Sequence, residues 1–166
     1  MEREGTTGLD ECEMGAWRAL VEGSGRLLQR LNEELLAAHG LNLAEYEVLS
    51  FLSEAPGGML RMSALARRAV VSRSGLTRRV DQMVASGLLR RRACPSDRRG
   101  TFAELTEEGW ERLREAAPSH REGVRRHFLA HLDREELVVL AEGMGAVAAA
   151  LAPPATQPAG SQGSCR

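Results

Sequence analysis

The sequence predicts a mainly α-helical chain that carries a small β-hairpin wing. Apolar residues recur at helical spacing from Trp17 to Leu151, and helix-capping and helix-stopping residues separate the segments. In the middle of the chain this period gives way to two short strand-like runs on either side of an exposed turn. The same middle part carries a strong excess of positive charge.

The composition is that of one compact folding unit. The chain has 166 residues, of which 43% are hydrophobic, enough for one sizeable core. No apolar run approaches the roughly 20 residues of a membrane span, and Met1-Glu2-Arg3-Glu4 does not resemble a signal peptide. Three scattered cysteines, Cys12, Cys94 and Cys165, match neither a disulfide framework nor a metal site. We therefore expect a soluble cytoplasmic protein that does not associate with a membrane and binds no metal ion or cofactor.

Charge is distributed unevenly along the chain. The formal net charge is −1, yet eleven arginines and only two acids lie between Arg61 and Gly100, which gives this segment a charge of +9. The flanks are correspondingly acidic. Local basicity of this kind indicates a polyanion as the partner.

The first two helices are expected over residues 10–39 and about 43–54. Leucines and a tryptophan keep one side of the first helix apolar, and Gly40 supplies a stop. Asn42 and Glu45 form a capping-box pattern at the start of the second helix. The apolar positions of the first helix are Trp17, Leu20, Leu27, Leu28, Leu31 and Leu35.

A helix-turn-helix and a wing are expected next. A short third helix covers residues 62–69, and Ser72 can cap a fourth helix that runs to Gly87. Residues 88–94 and 101–105 are strand-like and flank a turn-forming segment that begins at Pro95. A two-stranded hairpin after a helix-turn-helix is a wing.

Two further helices complete the chain. Thr106 can cap a long helix that reaches about His131 and that Pro118 should kink. Asp133 and Glu136 form a capping box for the last helix, whose apolar residues alternate spacings of three and four and therefore form a seam for a helical partner. The seam residues are Leu137, Leu140, Met144, Val147 and Leu151.

The predicted organisation is a single domain between two termini. We expect a winged helix-turn-helix lobe and a helical dimerisation lobe, followed by a tail too poor in apolar residues to order. The predicted ranges are 1–9 for a flexible N-terminus, 10–151 for the domain, 43–106 for the winged helix-turn-helix, 10–39 and 107–151 for dimerisation, and 152–166 for the disordered tail.

The fourth helix has one apolar and one polar face. Leu76, Val80, Met83 and Val84 are expected to point inward. A polar helix of this width fits the major groove of DNA, where Arg, Ser, Thr and Gln reach bases or phosphates. A solvated surface is the alternative, but acids would serve that role equally well and Asp81 is the only one. The candidate DNA contacts are Arg73, Ser74, Thr77, Arg78 and Gln82.

Arg98 and Arg99 are expected at the tip of the wing. An arginine-bearing loop can enter the minor groove and respond to its negative potential. The alternative is an ordinary solvated charge pair, with Asp97 neutralising one arginine. Beside the basic fourth helix we favour DNA contact.

These residues carry a family resemblance. Asp97-Arg98-Arg99-Gly100 followed by Leu105-Thr106-Glu107-Glu108-Gly109 resembles the signature of the MarR family of transcriptional regulators. The segments from Ser72 to Asp81 and from Gly87 to Leu89 are similar to the recognition-helix part of that family, as are Tyr46-Glu47-Val48-Leu49 and Leu65-Ala66, so that the resemblance covers Trp17 to Leu151. Gly75 is a departure, because a better helix former is common there.

The resemblance implies a homodimer on double-stranded DNA. The first and the last two helices would interleave and hold two winged-helix lobes on a palindromic operator. Ser72, Arg73, Ser74, Thr77 and Arg78 would read the major groove, and Arg99 would enter the minor groove. The implied function is that of a repressor, without enzymatic activity. A protein-binding module that docks acidic partners is the alternative class.

The resemblance also implies a small phenolic or anionic effector that releases the operator. The residues that line the effector-binding site would come from the first, second and fifth helices, although each candidate residue also fits a core or surface role. The candidates are Trp17, Arg18, His39, Tyr46 and Trp110.

Two other sensing mechanisms are alternatives. Some relatives sense oxidants through a cysteine near the start of the first helix, where Cys12 lies, but its acidic neighbours oppose thiolate formation. His120, His127 and His131 could share one helix face and bind zinc, but no Cys or acidic pair completes a tetrahedral set.

Overall fold

The structure, a computed structural model, describes residues 8–69, 73–94 and 97–152. The described residues form two compact units, which divide between Phe128 and Leu129. The predicted flexible N-terminus and the disordered tail fall almost entirely outside the described residues, and so does the capping residue Ser72. None of the helices in the described ranges is long and apolar enough to cross a lipid bilayer.

The described elements are mainly helical, with one small sheet, which confirms the predicted fold class. The helices are α1 (Glu11–His39), α2 (Leu43–Ser53), α3 (Met62–Arg68), α4 (Arg73–Ala85), α5 (Glu107–His127) and α6 (Arg134–Ala150). The strands are β1 (Met59–Arg61), β2 (Leu89–Cys94) and β3 (Asp97–Leu105). The strands form an antiparallel sheet in the order β1, β3, β2.

Capping residues set the helix ends. The predicted capping boxes at Asn42 and Asp133 are both formed, and a third lies at Asp10. Thr106 caps α5 by accepting a hydrogen bond from the Gly109 amide. Gly40 ends α1 in the left-handed conformation, with φ of 62°, as its position predicts.

Three elements differ from the expectation. The strand β1 was not predicted, because three residues are too short to show an alternating pattern. The helix α5 ends at His127 and a single 3-10 turn covers Leu129–His131, so the prediction of a helix to His131 is wrong at its end. The strand β3 begins at Asp97, inside the segment predicted to be a turn.

The core of the first unit lies where α2, α3 and α4 pack with the sheet and with parts of α1 and α5. Leu49, Leu52, Leu65, Leu76 and Val80 are fully buried there. In α1 only Leu31 and Leu35 are buried, both in its C-terminal half. The N-terminal half of that helix contributes nothing to this core.

Candidate nucleic-acid interface

The helix α4 separates a buried face from an exposed one. Leu76, Val80 and Met83 have no exposed surface, as their spacing predicts. Burying three large side chains anchors the helix firmly, because each contributes about 1.5–3 kcal/mol when removed from water. The exposed positions of α4 include Ser74, Thr77, Arg78, Asp81 and Gln82.

Four of these exposed residues meet at one surface hollow. Ser74, Thr77, Arg78 and Asp81 line a depression of about 690 Å³. Thr77, Arg78 and Asp81 follow Ser74 by three, four and seven residues, which places all four on one side of the helix. The structure therefore brings three of the candidate DNA contacts together, and it adds Asp81 to them. The side chain of Arg73 lies outside the described residues.

Asp81 is joined to the sheet. Nε and Nη2 of Arg91 donate hydrogen bonds to Oδ1 of Asp81, at 3.0 and 2.8 Å. Arg91 lies on β2, so this pair connects the exposed face of α4 to the first strand of the wing. Sequence reasoning had treated Asp81 only as an exception to the basic pattern, and an acid ten residues before an arginine gives no signal that the two would meet.

The wing is irregular at its outer end. Ala93 of β2 pairs with Thr101 of β3, and the next residue of β2, Cys94, pairs with Asp97. The residues between Asp97 and Thr101 therefore have no partner of their own in the β2 register, which is the pattern of a bulge. Arg98 and Arg99 thus lie in this irregular part of β3, whereas residues 95 and 96, where the predicted turn begins, lie outside the described residues. Their side chains lie outside the described residues.

A buried carboxylate holds two arginines at the root of the wing. Glu104 on β3 is 8% exposed, and its Oε1 accepts a hydrogen bond of 2.6 Å from Nη2 of Arg90. Nη1 of Arg92 lies 3.7 Å from Oε2 of the same carboxylate. The hydrogen bond with Arg90 lowers the pKa of Glu104, and Arg92 acts in the same direction, so this acid stays ionised. Sequence reasoning missed Glu104, since its burial depends on strand pairing that the pattern of residues 101–105 does not show.

The candidate effector residues border neither of the two hollows that the described residues form on α4 and between α1 and α5. Tyr46 is buried on α2, and its ring centroid lies 4.4 Å from that of His120. His39 is hydrogen-bonded to the hydroxyl of Ser119 at 2.8 Å. Both residues thus tie α1 or α2 to α5, which is a structural role.

The other three candidates are spread over the first unit. Trp110 packs on the core and lies so close to Gly58 that a Cβ there would be 2.9 Å from its ring. Trp17 is 56% exposed, and its neighbour Arg18 is exposed as well. Of the five candidates only Trp17 and Arg18 are therefore exposed.

A groove between α1 and α5 is lined by different residues. It measures about 670 Å³, and none of the five effector candidates borders it. Its walls include Leu31, Glu34 and Leu35 from α1 and His120, Gly123 and Arg126 from α5.

Of the three histidines considered as zinc ligands, His120 and His127 each contact a side chain on another helix. His127 Nε2 lies 2.8 Å from Oε1 of Glu34, and this hydrogen bond lowers the pKa of the Glu34 carboxyl. His120 stacks on Tyr46. Within residues 8–69, 73–94 and 97–152, no three His, Cys, Asp or Glu side chains are grouped so that they could hold a metal ion. The zinc hypothesis gains no support from this arrangement.

Burial makes His120 sensitive to pH. Desolvation lowers the pKa of this imidazole below its usual 6.5, because the charged form loses its hydration. Between about pH 7 and pH 5 the unfolded chain takes up a proton that the folded chain resists, so folding stability should fall as the pH falls.

We expect His120→Gln to flatten this decline. Urea unfolding at a fixed protein concentration, repeated across that pH range, measures it, and His131→Gln at an exposed position is the control. An equal decline in wild type and His120→Gln would show that His120 does not titrate as proposed.

Comparison with known proteins places these features in a family. A sequence model of the MarR family matches residues 39–100. The chain is 30% identical over 93 residues to the HTH-type transcriptional repressor YetL of Bacillus subtilis (strain 168), and this match covers 56% of each protein. The chain thus spans little more than half the length of that curated relative.

Two crystal structures match over a larger share. AbsC, a MarR family transcriptional regulator from Streptomyces coelicolor, is 40% identical with a TM-score of 0.83, covering 88% of this chain and 98% of AbsC. A second MarR family transcriptional regulator from the same species, solved in complex with DNA, is 37% identical with a TM-score of 0.86, covering 92% of this chain and 95% of its own. The chain belongs to the MarR family.

Proposed function

We propose that this chain is a DNA-binding transcriptional regulator whose α4 enters the major groove of an operator. The observation that carries the proposal is the sidedness of α4. On its apolar face Leu76, Val80 and Met83 are fully buried and Val84 is partly buried, while Ser74, Thr77, Arg78 and Gln82 are exposed on the opposite side. Arg and Thr at such positions can hydrogen-bond base edges or phosphates. The related protein from Streptomyces coelicolor that was solved in complex with DNA supports this use of the fold.

The proposed second contact is made by the wing. Arg98 and Arg99 lie in the bulge of β3, and arginines at this place would follow the adjacent minor groove. The charge of the segment from Arg61 to Gly100 supports contact with phosphates.

The proposed assembly is a homodimer. The helix α6 has 17 residues, and none of them is buried in the protomer. Val139 and Val147 are 70% and 49% exposed. On α1, Trp17 and Leu28 are also half exposed. Apolar faces of this extent need a cover, and a second copy would supply it while bringing two α4 helices to half-sites about 34–36 Å apart.

A charge placed on the apolar face of α6 tests the dimer. In an isolated protomer Val147→Asp adds an acid at an exposed position, whereas in the dimer it would bury an unpaired carboxylate, at a cost of about 3–5 kcal/mol. We expect the dissociation constant of the dimer to rise at least about 100-fold. Sedimentation velocity over a concentration series measures this, with Glu142→Ala on the same helix as the control. A monomeric wild type, or a Val147→Asp variant that dimerises normally, would contradict the assembly.

We further propose repression of a palindromic operator and its release by a small phenolic or anionic effector. The repressor YetL supports the sign of regulation. Of the five candidates Trp17 and Arg18 are exposed, and an aromatic and a cationic side chain are the groups that an aromatic anion can contact. Titration of salicylate as the probe should quench tryptophan fluorescence and release DNA, and Trp17→Phe should abolish the quenching. Unchanged DNA binding at millimolar salicylate would count against release by this class of compound.

A redox response is a second proposal with narrower support. Cys12 is exposed in the structure and thus open to oxidants. Peroxide treatment of wild type and of Cys12→Ser, followed by operator binding, decides this point. No peroxide effect on the wild type removes the proposal.

The experiment for DNA binding uses the DNA that lies upstream of the gene encoding this chain. Overlapping duplex fragments of that region are titrated with the full-length protein, and footprinting locates the protected bases. We expect one fragment to be retained with a footprint of two half-sites related by two-fold symmetry. Equal affinity for every fragment would leave only non-specific binding, and no retention at low ionic strength would overturn the proposal.

A further inference from the structure

Asp81 is an acid on the face of α4 that carries the proposed DNA contacts. It lines the same surface hollow as Ser74, Thr77 and Arg78. Its side chain is 58% exposed, so the carboxylate is open to whatever occupies that face. An uncompensated anion at this position would repel the phosphates of a bound duplex.

Arg91 neutralises this carboxylate from another element. Both its Nε and its Nη2 donate to Asp81 Oδ1, at 3.0 and 2.8 Å. The Arg91 side chain is 32% exposed, less than that of Arg90 or Arg92, at 62% and 64%. Arg91 is therefore committed to Asp81, whereas its two neighbours point to the other side of the strand, toward Glu104.

The pair spans the junction between the recognition helix and the wing. Only Ser86, Gly87 and Leu88 separate α4 from β2, and Gly87 has a φ of 80°. The Leu88 amide donates to the Met83 carbonyl at 2.9 Å, which closes this turn on its backbone side. The Asp81–Arg91 pair adds a second connection further from the turn, because Asp81 precedes Met83 on α4 and Arg91 follows Leu88 on β2. The backbone bond closes the turn, and the side-chain pair joins β2 to α4 further from it, so the pair adds to the packing and hydrogen bonds that hold β2 against the helix.

We propose that Asp81 is a positioning residue, which holds the wing at a set angle to α4 through Arg91 and thereby determines how well the protein distinguishes its operator from other DNA. This inference rests on the proposed DNA-binding function. When Asp81 is lost, Arg91 is released and becomes one more cation for any phosphate. The wing also becomes free to settle on sequences that do not match. The affinity for non-specific DNA therefore rises, while the affinity for the operator falls.

The test measures two affinities of the full-length dimer. One duplex is an upstream fragment that wild type retains, and the other is a shuffled duplex of the same length and composition. For Asp81→Asn we expect about threefold tighter binding to the shuffled duplex and a discrimination ratio that falls about tenfold. The salt dependence on the shuffled duplex should steepen by about 1.8 in log–log slope, since each protomer of the dimer neutralises one more phosphate.

Three variants separate positioning from charge alone. Asp81→Glu keeps the carboxylate within reach of Arg91 and should keep the ratio within about twofold of wild type. Glu115→Gln removes the same charge from an exposed position on α5 and should shift both affinities by one common factor. The exchanged pair Asp81→Arg with Arg91→Asp should recover part of the ratio lost in Asp81→Asn.

The outcomes distinguish this inference from the function on which it rests. If wild type binds no duplex, the proposed function fails. If wild type discriminates and Asp81→Asn discriminates equally well, or raises both affinities by one factor, Asp81 acts through its charge alone and the inference is overturned. A fall in the ratio confined to the Asp81→Asn variant supports it.

Discussion

Gly109→Ala should destabilise the protein by about 3 kcal/mol, a large part of the stability of a typical domain. A Cβ at this position would lie 2.2 Å from the Leu88 carbonyl oxygen, far inside contact distance. That oxygen cannot move aside cheaply, because it accepts hydrogen bonds from the Thr106 amide at 3.2 Å and the Thr106 hydroxyl at 3.0 Å. The first turn of α5 must therefore separate from the root of the wing.

Thermal unfolding at fixed protein concentration measures this effect, and the midpoint should fall by roughly 10 °C. Gly15→Ala is the matched control, since nothing lies within 4 Å of a Cβ there and alanine favours a helix interior by about 0.5–1 kcal/mol. A Gly109→Ala variant as stable as wild type would show that α5 does not approach Leu88 as closely as described.

Arg78→Ala should lower operator affinity and change discrimination at particular base pairs, by about 1–3 kcal/mol where a paired contact is lost. The residue is exposed on α4 beside Thr77, and Thr77→Ala is expected to act in the same way. Arg99→Ala should instead weaken binding across operator variants and reduce the salt slope by about 1.8, because each protomer of the dimer loses one contact. Competition titrations with single-base operator variants separate the two patterns.

The control for these substitutions removes a positive charge away from the proposed interface. Arg114→Ala on α5 takes away an arginine that is 65% exposed and pairs with Glu107. Because this charge is distant from the proposed interface, its loss should change operator affinity only slightly and equally for all operator variants. Equal and negligible effects of Thr77→Ala, Arg78→Ala and Arg99→Ala would refute the assignment of these residues.

Much of the fold follows from local signals in the sequence. Nearby residues alone predict several elements. Examples are the capping boxes at Asn42 and Asp133, the stop at Gly40 and the apolar spacing of Leu76, Val80 and Met83. Such signals depend on the chain within a turn or two of helix, so they can be read without knowing the packing.

The features that the sequence did not reveal depend on strand pairing. The bulge that holds Arg98 and Arg99 arises from the register of β2 on β3, and the burial of Glu104 arises from the same pairing. The Asp81–Arg91 pair joins two elements across a turn. In α1 the apolar spacing was correct, but Trp17 and Leu28 are exposed in the protomer, since the spacing shows which side is apolar and not what covers it.

The salt dependence of binding to a retained upstream duplex tests the central claim most directly. Two symmetry-related lobes that each neutralise at least three phosphates should give a log–log slope of about −5, with one dimer bound per duplex. The expected result is a steep, linear loss of affinity between low and physiological salt. A slope near zero, or saturation by a single protomer, would contradict a paired helix and wing that bring positive charge to neighbouring grooves of one duplex.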